Sequence, residues 1–433
     1  MFEHFFTQIA RKGYVALADQ SVISVTNFLT GVLLARFVEP DEYGAYVLAS
    51  SALLLASGLQ TQLISGPMAV IGAPKEGDDF KRYVTALGLG QAVMSALLAA
   101  LAFAVVAIMF FTQASAGLKN AFLGMAVSLF FVQLQEFCRR ALFSRLMTVH
   151  VLLNDAIFCA FRLGGLFLLW QLDAGASGQA GKWLSARNVF FSISISALVG
   201  GVVGLFQVRR FVGTDLQEAR EFYAESWSFA RWGLAGYAGS LLIVQASMWL
   251  VGGMAGIAAA GMIEAARLLV APLHILEMGG PNIVTPGAAR AYGQGGARAL
   301  SLFIRRLSPF WVSAFVLYGI VIAAVPGCWL RLFFGDRYAS AGLVVTLWVG
   351  VYIVSGLRLL PGFVLSALRR PDIITYIIIP EGIIAVALTG ALVRYCGVEW
   401  AVAGRLLSAI VGACASALWG HILLQRTVYL ERN

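Results

Sequence analysis

Four ionisable side chains lie in one apolar stretch of the sequence, GMIEAARLLVAPLHILEMGGP at residues 261–281. At 100° per residue on an ideal helix, Glu264, Arg267, His274 and Glu277 fall within one stripe of about 140°. A charged stripe facing lipid would be costly, so the pattern predicts that it faces the interior of a helix bundle or a water-filled cavity. The spacing of Glu264 and Arg267 also allows an internal ion pair, which is compatible with a functional role.

Other apolar stretches carry polar groups as well: Asp19, Thr26, Asn27 and Thr30; Asp155 and Arg162; Arg358; and Glu381, directly after a proline. Most of the first group follows one line of a helix, and Asp155 and Arg162, seven residues apart, share one helix face. Ionisable groups inside a membrane are candidate functional residues, with mutual pairing as the alternative. Arg405, close to the start of its stretch, is instead expected to extend towards the membrane interface.

The elements that position these residues are predicted to be membrane-spanning helices. Of the 433 residues, 60% are hydrophobic and 12% are charged, and the mean hydropathy is +0.82. Soluble domains usually carry about twice that charged fraction, and runs of about twenty apolar residues suffice to cross a bilayer. The sequence therefore predicts an all-α integral membrane protein with twelve spans, at residues 16–37, 44–66, 84–111, 119–141, 149–171, 188–208, 231–253, 257–280, 308–330, 340–366, 373–394 and 398–424.

The distribution of Lys and Arg predicts the orientation of these spans. Most of the 31 basic residues lie at the two termini and in the loops that follow even-numbered spans. Because basic residues accumulate on the cytoplasmic side, both termini are predicted to be cytoplasmic. The net charge of +9 then needs no nucleic acid as a partner. The first residues, MFEHFFTQIARK, lack the pattern of a signal peptide and are expected to lie on the membrane surface as an amphipathic segment.

The twelve predicted spans divide into two halves of six with the same orientation. We predict an N-terminal lobe at residues 1–210, a cytoplasmic interfacial linker at 211–230 and a C-terminal lobe at 231–433. An even number of spans in each half makes any internal repeat parallel, with a pseudo-twofold axis along the membrane normal. The second span of each half has a Gly near its start, Gly44 or Gly261, and reaches a Gly-Pro step at its end, although such a pattern also recurs by chance.

Patterns of enzymatic chemistry are missing from the sequence. There is no phosphate-binding loop of the GxxxxGK[ST] type and no HExxH, and GLGLGQAVMS lies inside an apolar helix rather than after a strand. The five cysteines have no metal-ligand spacing. We therefore predict a protein that is not an enzyme and has no cofactor or metal. Energised activity would have to use the membrane potential, the gradient of its own substrate, or a coupling ion such as H⁺ or Na⁺.

Two segments carry a resemblance to a known family. LADQSVISVTNFLTGVLLARFVEPDEYGAYVLASSALL, at residues 17–54, resembles the opening of polysaccharide exporters, the Wzx-type oligosaccharide flippases of the MATE-like MOP superfamily. GMIEAARLLVAPL and the following GGPNIVTPGAARAY look like helix eight of that family and the cytoplasmic turn after it. The resemblance implies a two-lobed fold of twelve helices. It also implies transport of a lipid-linked oligosaccharide, usually on undecaprenyl diphosphate, across the bacterial inner membrane.

This resemblance implies roles for the intramembrane residues. A diphosphate headgroup needs cations along its path, and Arg suits phosphate because its planar fork donates two parallel hydrogen bonds. The candidate substrate-binding residues are Arg267, Arg358, Arg162 and Arg36. The candidate counter-ions, or sites for the coupling ion, are Asp19, Glu264, Glu381 and Asp155. Asn27, Thr30 and His274 are expected to add polar groups to the same cavity.

Two other functions remain open at the level of sequence. A multidrug antiporter of the same superfamily would use acidic groups such as Asp19 to exchange organic cations for H⁺ or Na⁺. A non-transporting accessory subunit of a polysaccharide synthase would need surfaces for partners such as glycosyltransferases and a polymerase. The short predicted loops offer little such surface, and a membrane-embedded glycosyltransferase is disfavoured for the same reason.

Overall fold

The computed structural model describes residues 2–175, 183–213, 215–216, 218–368 and 370–430. Every regular element within these ranges is helical. Ten of the described helices are long and apolar enough to cross a membrane, and one bent pair adds an eleventh span. With the long first helix, this architecture confirms the predicted all-α membrane fold and is consistent with twelve spans.

The helices follow one another with short connections. They are α1 (Phe2–Phe37), α2 (Pro40–Gln60), α3 (Gly77–Phe110), α4 (Ala116–Ser144), α5 (Thr148–Gly175), α6 (Ala186–Val208), α7 (Ala219–Leu241), α8 (Ser247–Ala255), α9 (Ile257–Leu268), α10 (Ala271–Ala324), α11 (Pro326–Phe334), α12 (Gly342–Ala367), α13 (Pro371–Cys396) and α14 (Ala401–Leu430). π-Helical turns extend α2 at Thr61–Ser65 and Met68–Gly72, and another joins α7 to α8 at Leu242–Ala246.

The chain divides into two compact units, residues 1–237 and 238–433. In the first unit α4 packs against α3 and α6, and α5 packs against α1 and α6. In the second unit α12 packs against α10 and α14, and α13 packs against α14. The predicted linker at 211–230 is helical from Ala219 onwards, because α7 begins there.

Aromatic and aliphatic side chains at the start of α3 form a hydrophobic core cluster of the first unit. Phe80, Tyr83 and Leu87 are fully buried there, together with Leu142 of α4. The Tyr83 ring meets Phe222 of α7 edge-on, with 5.3 Å between the ring centroids. These contacts hold the first part of α7 within the first unit.

Small residues allow the helices to approach closely in both units, as is usual in membrane bundles. A Cβ atom added to Gly204 of α6 would lie 2.6 Å from the Cβ of Cys138 on α4. In the second unit, a Cβ added to Gly404 of α14 would lie 2.5 Å from the backbone nitrogen of Thr389 on α13. Glycine at these positions is therefore required by the helix-to-helix distance.

The predicted eighth span, 257–280, is broken into two helices. α9 ends at Leu268, and the part of α10 up to Pro281 is bent from it by 64°. Pro272 causes the break, because proline has no amide hydrogen and its ring clashes with the carbonyl group four residues earlier. The continuous helix assumed in the sequence analysis is therefore wrong at this point.

The break also changes the arrangement of the charged stripe. Glu264 and Arg267 lie on α9, whereas His274 and Glu277 lie on α10. The prediction of one straight stripe along a single helix is wrong, because each pair follows the axis of its own helix. Whether the two pairs still approach each other then depends on the side chains that lie between α9 and α10.

The segment after this break is helical where a cytoplasmic turn was expected. α10 continues past Arg290 to Ala324, and its only non-helical backbone angles are at Gly295 and Gly296. Gly296 has φ 62°, a conformation that favours glycine. The helix is thus interrupted at Gly295 and Gly296, beyond residues 279–292 where the turn was expected. At the N-terminus, α1 is continuous from Phe2, and the side chains of the predicted surface segment lie outside the described residues.

We predict that Gly404→Ala destabilises the protein, because the new methyl group forces α13 and α14 apart. Gly362→Ala on α12 is the matched control, since a Cβ there has no atom within 4 Å. The control should change stability by no more than about 1 kcal/mol, the helix-propensity difference between Gly and Ala. The apparent unfolding temperature of both purified variants measures the difference. Equal effects of the two substitutions would show that the close approach at Gly404 is not a constraint.

Candidate functional site

A buried arginine that the sequence analysis did not single out organises the polar residues of the first unit. Arg139 of α4 donates from Nε to Asp155 Oδ2 at 2.5 Å and from Nη2 to Asp19 Oδ2 at 2.9 Å. Its Nη1 donates to Glu136 Oε2 at 3.2 Å. The three carboxylates come from α1, α4 and α5, so a single guanidinium joins three helices. Asp19 and Asp155 are each 1% exposed, and Arg139 is 8% exposed.

Amide side chains complete this network. Gln135 donates from Nε2 to Asp155 Oδ1 at 2.9 Å and to Asn154 Oδ1 at 3.0 Å. Asn154 in turn donates to the backbone carbonyl of Gly200 on α6 at 2.7 Å. On the opposite side, Arg140 donates to Glu136 Oε1 at 2.5 Å. The hydrogen bonds therefore extend from α1 through α4 and α5 to α6.

The charges of this network do not fully cancel. Three carboxylates meet two guanidinium groups, Arg139 and Arg140. Asp19 Oδ1 is buried and has no protein hydrogen-bond partner, although Asp19 Oδ2 has one. If all five groups are ionised, the network carries one net negative charge, which one proton or one monovalent cation would balance.

Arg162 lies in the same unit but binds no carboxylate. Its Nη1 donates to Asn27 Oδ1 at 2.8 Å, which joins α5 to α1. Arg162 is 9% exposed, and its buried Nε has no protein partner. Within the described residues, it makes no ion pair. Its positive charge is therefore oriented by a neutral amide and is not neutralised.

The remaining candidates of the first unit have less distinctive surroundings. Thr30 is fully buried and donates to the carbonyl of Thr26 at 2.7 Å, a local bond within α1. Arg36 is exposed, with its guanidinium 6.0 Å from the centroid of the Phe37 ring. The structure thus brings Asp19 and Asp155 together on Arg139, and it brings Asn27 to Arg162, but it leaves Arg36 at the surface of the unit.

In the second unit, Arg267 and Glu264 form the ion pair that their spacing allowed. Arg267 donates from Nε to Glu264 Oε2 at 2.8 Å and from Nη2 to Glu264 Oε1 at 2.6 Å. This bidentate geometry is among the strong interactions that an arginine makes with a carboxylate. The third nitrogen, Nη1, lies 3.5 Å from Tyr352 Oη on α12.

Tyr352 is also the side chain that contacts the other half of the broken span. Its ring meets the His274 ring at 65°, with 5.9 Å between the centroids. His274 Nδ1 lies 3.7 Å from Glu277 Oε2 on the next turn of α10. The four ionisable groups of the opening stretch therefore do meet in one region, through Tyr352 rather than along a straight helix.

A second ion pair of this unit joins two helices near their centres. Arg358 of α12 donates from Nη1 to Glu381 Oε2 on α13, and Glu381 is 4% exposed. Gly412 of α14 lies directly against this pair, because a Cβ there would overlap the Glu381 carboxylate. Arg358 and Glu381, predicted as separate candidates, are thus partners.

Arg405 departs from the expectation that it extends to the interface. Its guanidinium lies over the Trp348 ring, 4.9 Å from the centroid. The Trp348 and Tyr352 rings are tilted by 33°, with 6.0 Å between their centroids. Trp348 is held in place by donating its Nε1–H to the carbonyl of Ile263 on α9. In the part of the chain that the structure describes, Arg405 has no carboxylate partner. Like Arg162, it is oriented by an uncharged side chain without forming an ion pair.

Sequence reasoning missed Arg139 and Tyr352, and it did not count Arg405 among the candidate site residues. Glu136, Arg139 and Arg140 do have the i, i+3 and i, i+4 spacing of paired charges inside a span, and this signal would have identified Arg139 as intramembrane. The contacts of Arg405 and Tyr352 are tertiary and have no local sequence signal. No group of three or more His, Cys, Asp or Glu side chains that would hold a metal ion is found among the described residues.

We predict that Arg139→Gln destabilises the first unit strongly, by about 3–5 kcal/mol, because it leaves buried carboxylates without a cation. Arg140→Gln is the neighbouring control. Arg140 is 40% exposed at its side chain and binds only Glu136, so its loss should cost about 1 kcal/mol or less. Adding Asp155→Asn to Arg139→Gln should recover part of the stability. Thermal unfolding of the purified variants would contradict this account if the two arginines proved equivalent.

No family model matches the sequence, and no curated protein matches it. Solved structures of similar fold do match. One is an inward-facing multidrug resistance MATE family transporter of the MOP superfamily, at 13% identity, 94% coverage of this chain, 95% of that chain and TM-score 0.69. Another is a MATE transporter in the straight conformation, at 13% identity, 97% and 96% coverage and TM-score 0.67.

A third similar structure is a MOP superfamily transporter from Pyrococcus furiosus, described as having a binding pocket of reversed polarity that suggests a different function. It is 13% identical to this chain, with 96% and 95% coverage and TM-score 0.66. These neighbours are transporters and not enzymes. At this level of identity the likeness establishes the fold alone. This protein is a multi-pass membrane protein with the fold of these MATE and MOP superfamily transporters.

Proposed function

We propose that the protein transports a lipid-linked oligosaccharide with an anionic, polyprenyl-diphosphate-type headgroup across the bacterial inner membrane by alternating access, for the synthesis of a surface polysaccharide. The observation that carries this proposal is the presence in each unit of an arginine that is held in place but not neutralised. Arg162 is oriented by Asn27, and Arg405 is oriented by Trp348. Within an apolar bundle, such guanidinium groups favour an anionic ligand.

The acidic residues of the first unit are less suited to an organic cation. Asp19 and Asp155 already bind the guanidinium of Arg139, so a cationic drug would have to compete with a tethered cation. The neighbouring charge pairs of the second unit, Arg267 with Glu264 and Arg358 with Glu381, are neutral. This arrangement disfavours the multidrug antiporter that the same fold also supports. Enhanced drug resistance of a pump-deleted host would favour the antiporter instead.

The free Oδ1 atom of Asp19 supports a role for H⁺ or Na⁺ in coupling. A proton on this oxygen, or a Na⁺ beside it, would balance the net negative charge of the Arg139 network. Asp155 would share that role, because both carboxylates bind the same guanidinium. Glycosyltransferases and a polysaccharide polymerase are the partners that this function implies, since they make and consume the lipid-linked unit.

We predict that Arg162→Ala and Arg405→Ala each weaken binding of the anionic headgroup about 10- to 100-fold, the range expected for one charge-assisted hydrogen bond. Cells with either variant should lose most of their surface polysaccharide while the protein inserts normally. Arg187→Ala and Arg394→Ala are controls, because both arginines are exposed and belong to the same two units. Wild-type polysaccharide levels in both test variants would contradict the proposal.

A second prediction separates substrate binding from structural pairing at Arg358. Arg358→Gln alone leaves Glu381 as an uncompensated buried charge, so loss of export by this variant has two explanations. The double variant Arg358→Gln/Glu381→Gln removes that charge. If Arg358 contacts the anionic headgroup, the double variant is stable but still exports poorly. Restored export in the double variant would show that the pair serves the fold only.

A further inference from the structure

A cluster of uncharged polar side chains lies in the first unit, outside the ionisable network. It consists of Gln60 at the end of α2, Gln91 and Ser95 on α3, and Gln133 on α4. Each of the four is at most 2% exposed. All three helices are long and apolar enough to cross the membrane, so the cluster lies in apolar surroundings. Buried amides in such surroundings require hydrogen-bond partners.

The cluster satisfies part of its own hydrogen-bonding capacity. Gln91 Nε2 donates to Ser95 Oγ at 2.6 Å and to Gln133 Oε1 at 3.1 Å. Ser95 Oγ donates to Gln133 Oε1 at 2.7 Å. Gln60 Nε2 donates to the backbone carbonyl of Gln133 at 2.8 Å. Gln133 is therefore the centre of the cluster, because it accepts bonds from both other helices.

Three amide atoms of this cluster have no protein partner. They are Gln60 Oε1, Gln91 Oε1 and Gln133 Nε2, and all three are buried. Nine such side-chain atoms occur among the described residues, so one third of them belong to three contiguous side chains. Two of the three atoms are acceptors and the third is a donor group. Together the three atoms lack two hydrogen-bond donors and one acceptor.

The donor and acceptor pattern does not depend on how the amides are oriented. Gln60 is fixed, since turning its amide would place Oε1 against the carbonyl oxygen of Gln133. Turning Gln91 and Gln133 together preserves their mutual bonds through Ser95, and it exchanges which of the two presents the donor. Both arrangements leave two carbonyl oxygens and one NH₂ group unpartnered. A bare cation such as Na⁺ would face that NH₂ group in either arrangement.

We propose that Gln60, Gln91 and Gln133 form a binding site for one water molecule inside the membrane. Water donates two hydrogen bonds and accepts others, and buried waters typically make about three bonds to otherwise unsatisfied groups. The site lies where α2 changes from a regular helix to the π-helical turn Thr61–Ser65. The water links the last regular residue of α2 to α3 and α4. It thereby fixes the start of the irregular segment, a type of feature often found at functional sites.

The direct test is an experimental structure of the whole protein at a resolution that shows ordered water. The expected result is a density peak within hydrogen-bonding distance of Gln60 Oε1 and of the free amide atoms of Gln91 and Gln133. Amides that turn to bond each other or the backbone, with no peak between them, would overturn the proposal. A peak at distances too short for a hydrogen bond would identify a cation and would overturn it too.

Variants of the three glutamines test whether the proposed water molecule contributes to the thermal stability of the protein. Gln60→Met, Gln91→Met and Gln133→Met should each lower the apparent unfolding temperature by about 2–5 °C, because each leaves partners unsatisfied. The triple variant replaces all three amides by apolar groups of similar size, so its loss should be smaller than the sum of the single losses. Gln20→Met, at an exposed position of α1, is the control. A triple loss equal to the sum of the single losses would contradict a shared water.

Discussion

The cost of placing charge inside an apolar helix bundle constrains the whole structure. A buried ion without a partner is far less favourable than a buried apolar group, so every deep carboxylate needs a cation or a proton. In the first unit Arg139 meets this need for Asp19, Asp155 and Glu136 at once. The positions of α1, α4 and α5 are therefore coupled. If one of these helices moved away, a carboxylate or the guanidinium would lose its partner in apolar surroundings, which stabilise an isolated charge poorly. The amides of Gln135 and Asn154 extend this coupling to α6.

The same constraint divides the arginines into two groups with different consequences. Arg139, Arg267 and Arg358 bind carboxylates, which offset their charges within their own units. Arg162 and Arg405 are held by an amide and by an indole ring, neither of which removes the charge. Burying such groups is unfavourable in the absence of a ligand, and our proposal of an anionic substrate rests on this cost. In our proposal, the sign of the substrate charge is inferred from which of these five arginines lack a carboxylate partner, rather than from the number of arginines.

The fold could be predicted from the sequence because apolar runs of the length of a bilayer have few alternatives to helices. The ion pair of Glu264 and Arg267 could be anticipated as well, because residues three apart on a helix are neighbours. The pairing of Arg358 with Glu381 joins two helices, and no spacing along the chain encodes it. Arg139 was missed because it lies near the end of a predicted span. It was therefore counted among the basic residues of the following loop, which were used to predict the orientation of the spans. The break at Pro272 was missed because the calculation at 100° per residue assumes one continuous helix. The proline in the sequence already indicated that the helix could be interrupted there.

The central claim is that the protein recognises an anionic, lipid-linked sugar and not an organic cation. Equilibrium binding to the purified, full-length protein in lipid nanodiscs tests it most directly, with a polyprenyl-diphosphate-linked oligosaccharide and a lipophilic organic cation as the two probes. Our account predicts saturable binding of the diphosphate lipid that weakens as the salt concentration rises, and no saturable binding of the cation. Saturable binding of the cation that H⁺ or Na⁺ displaces, with none of the diphosphate lipid, would contradict it.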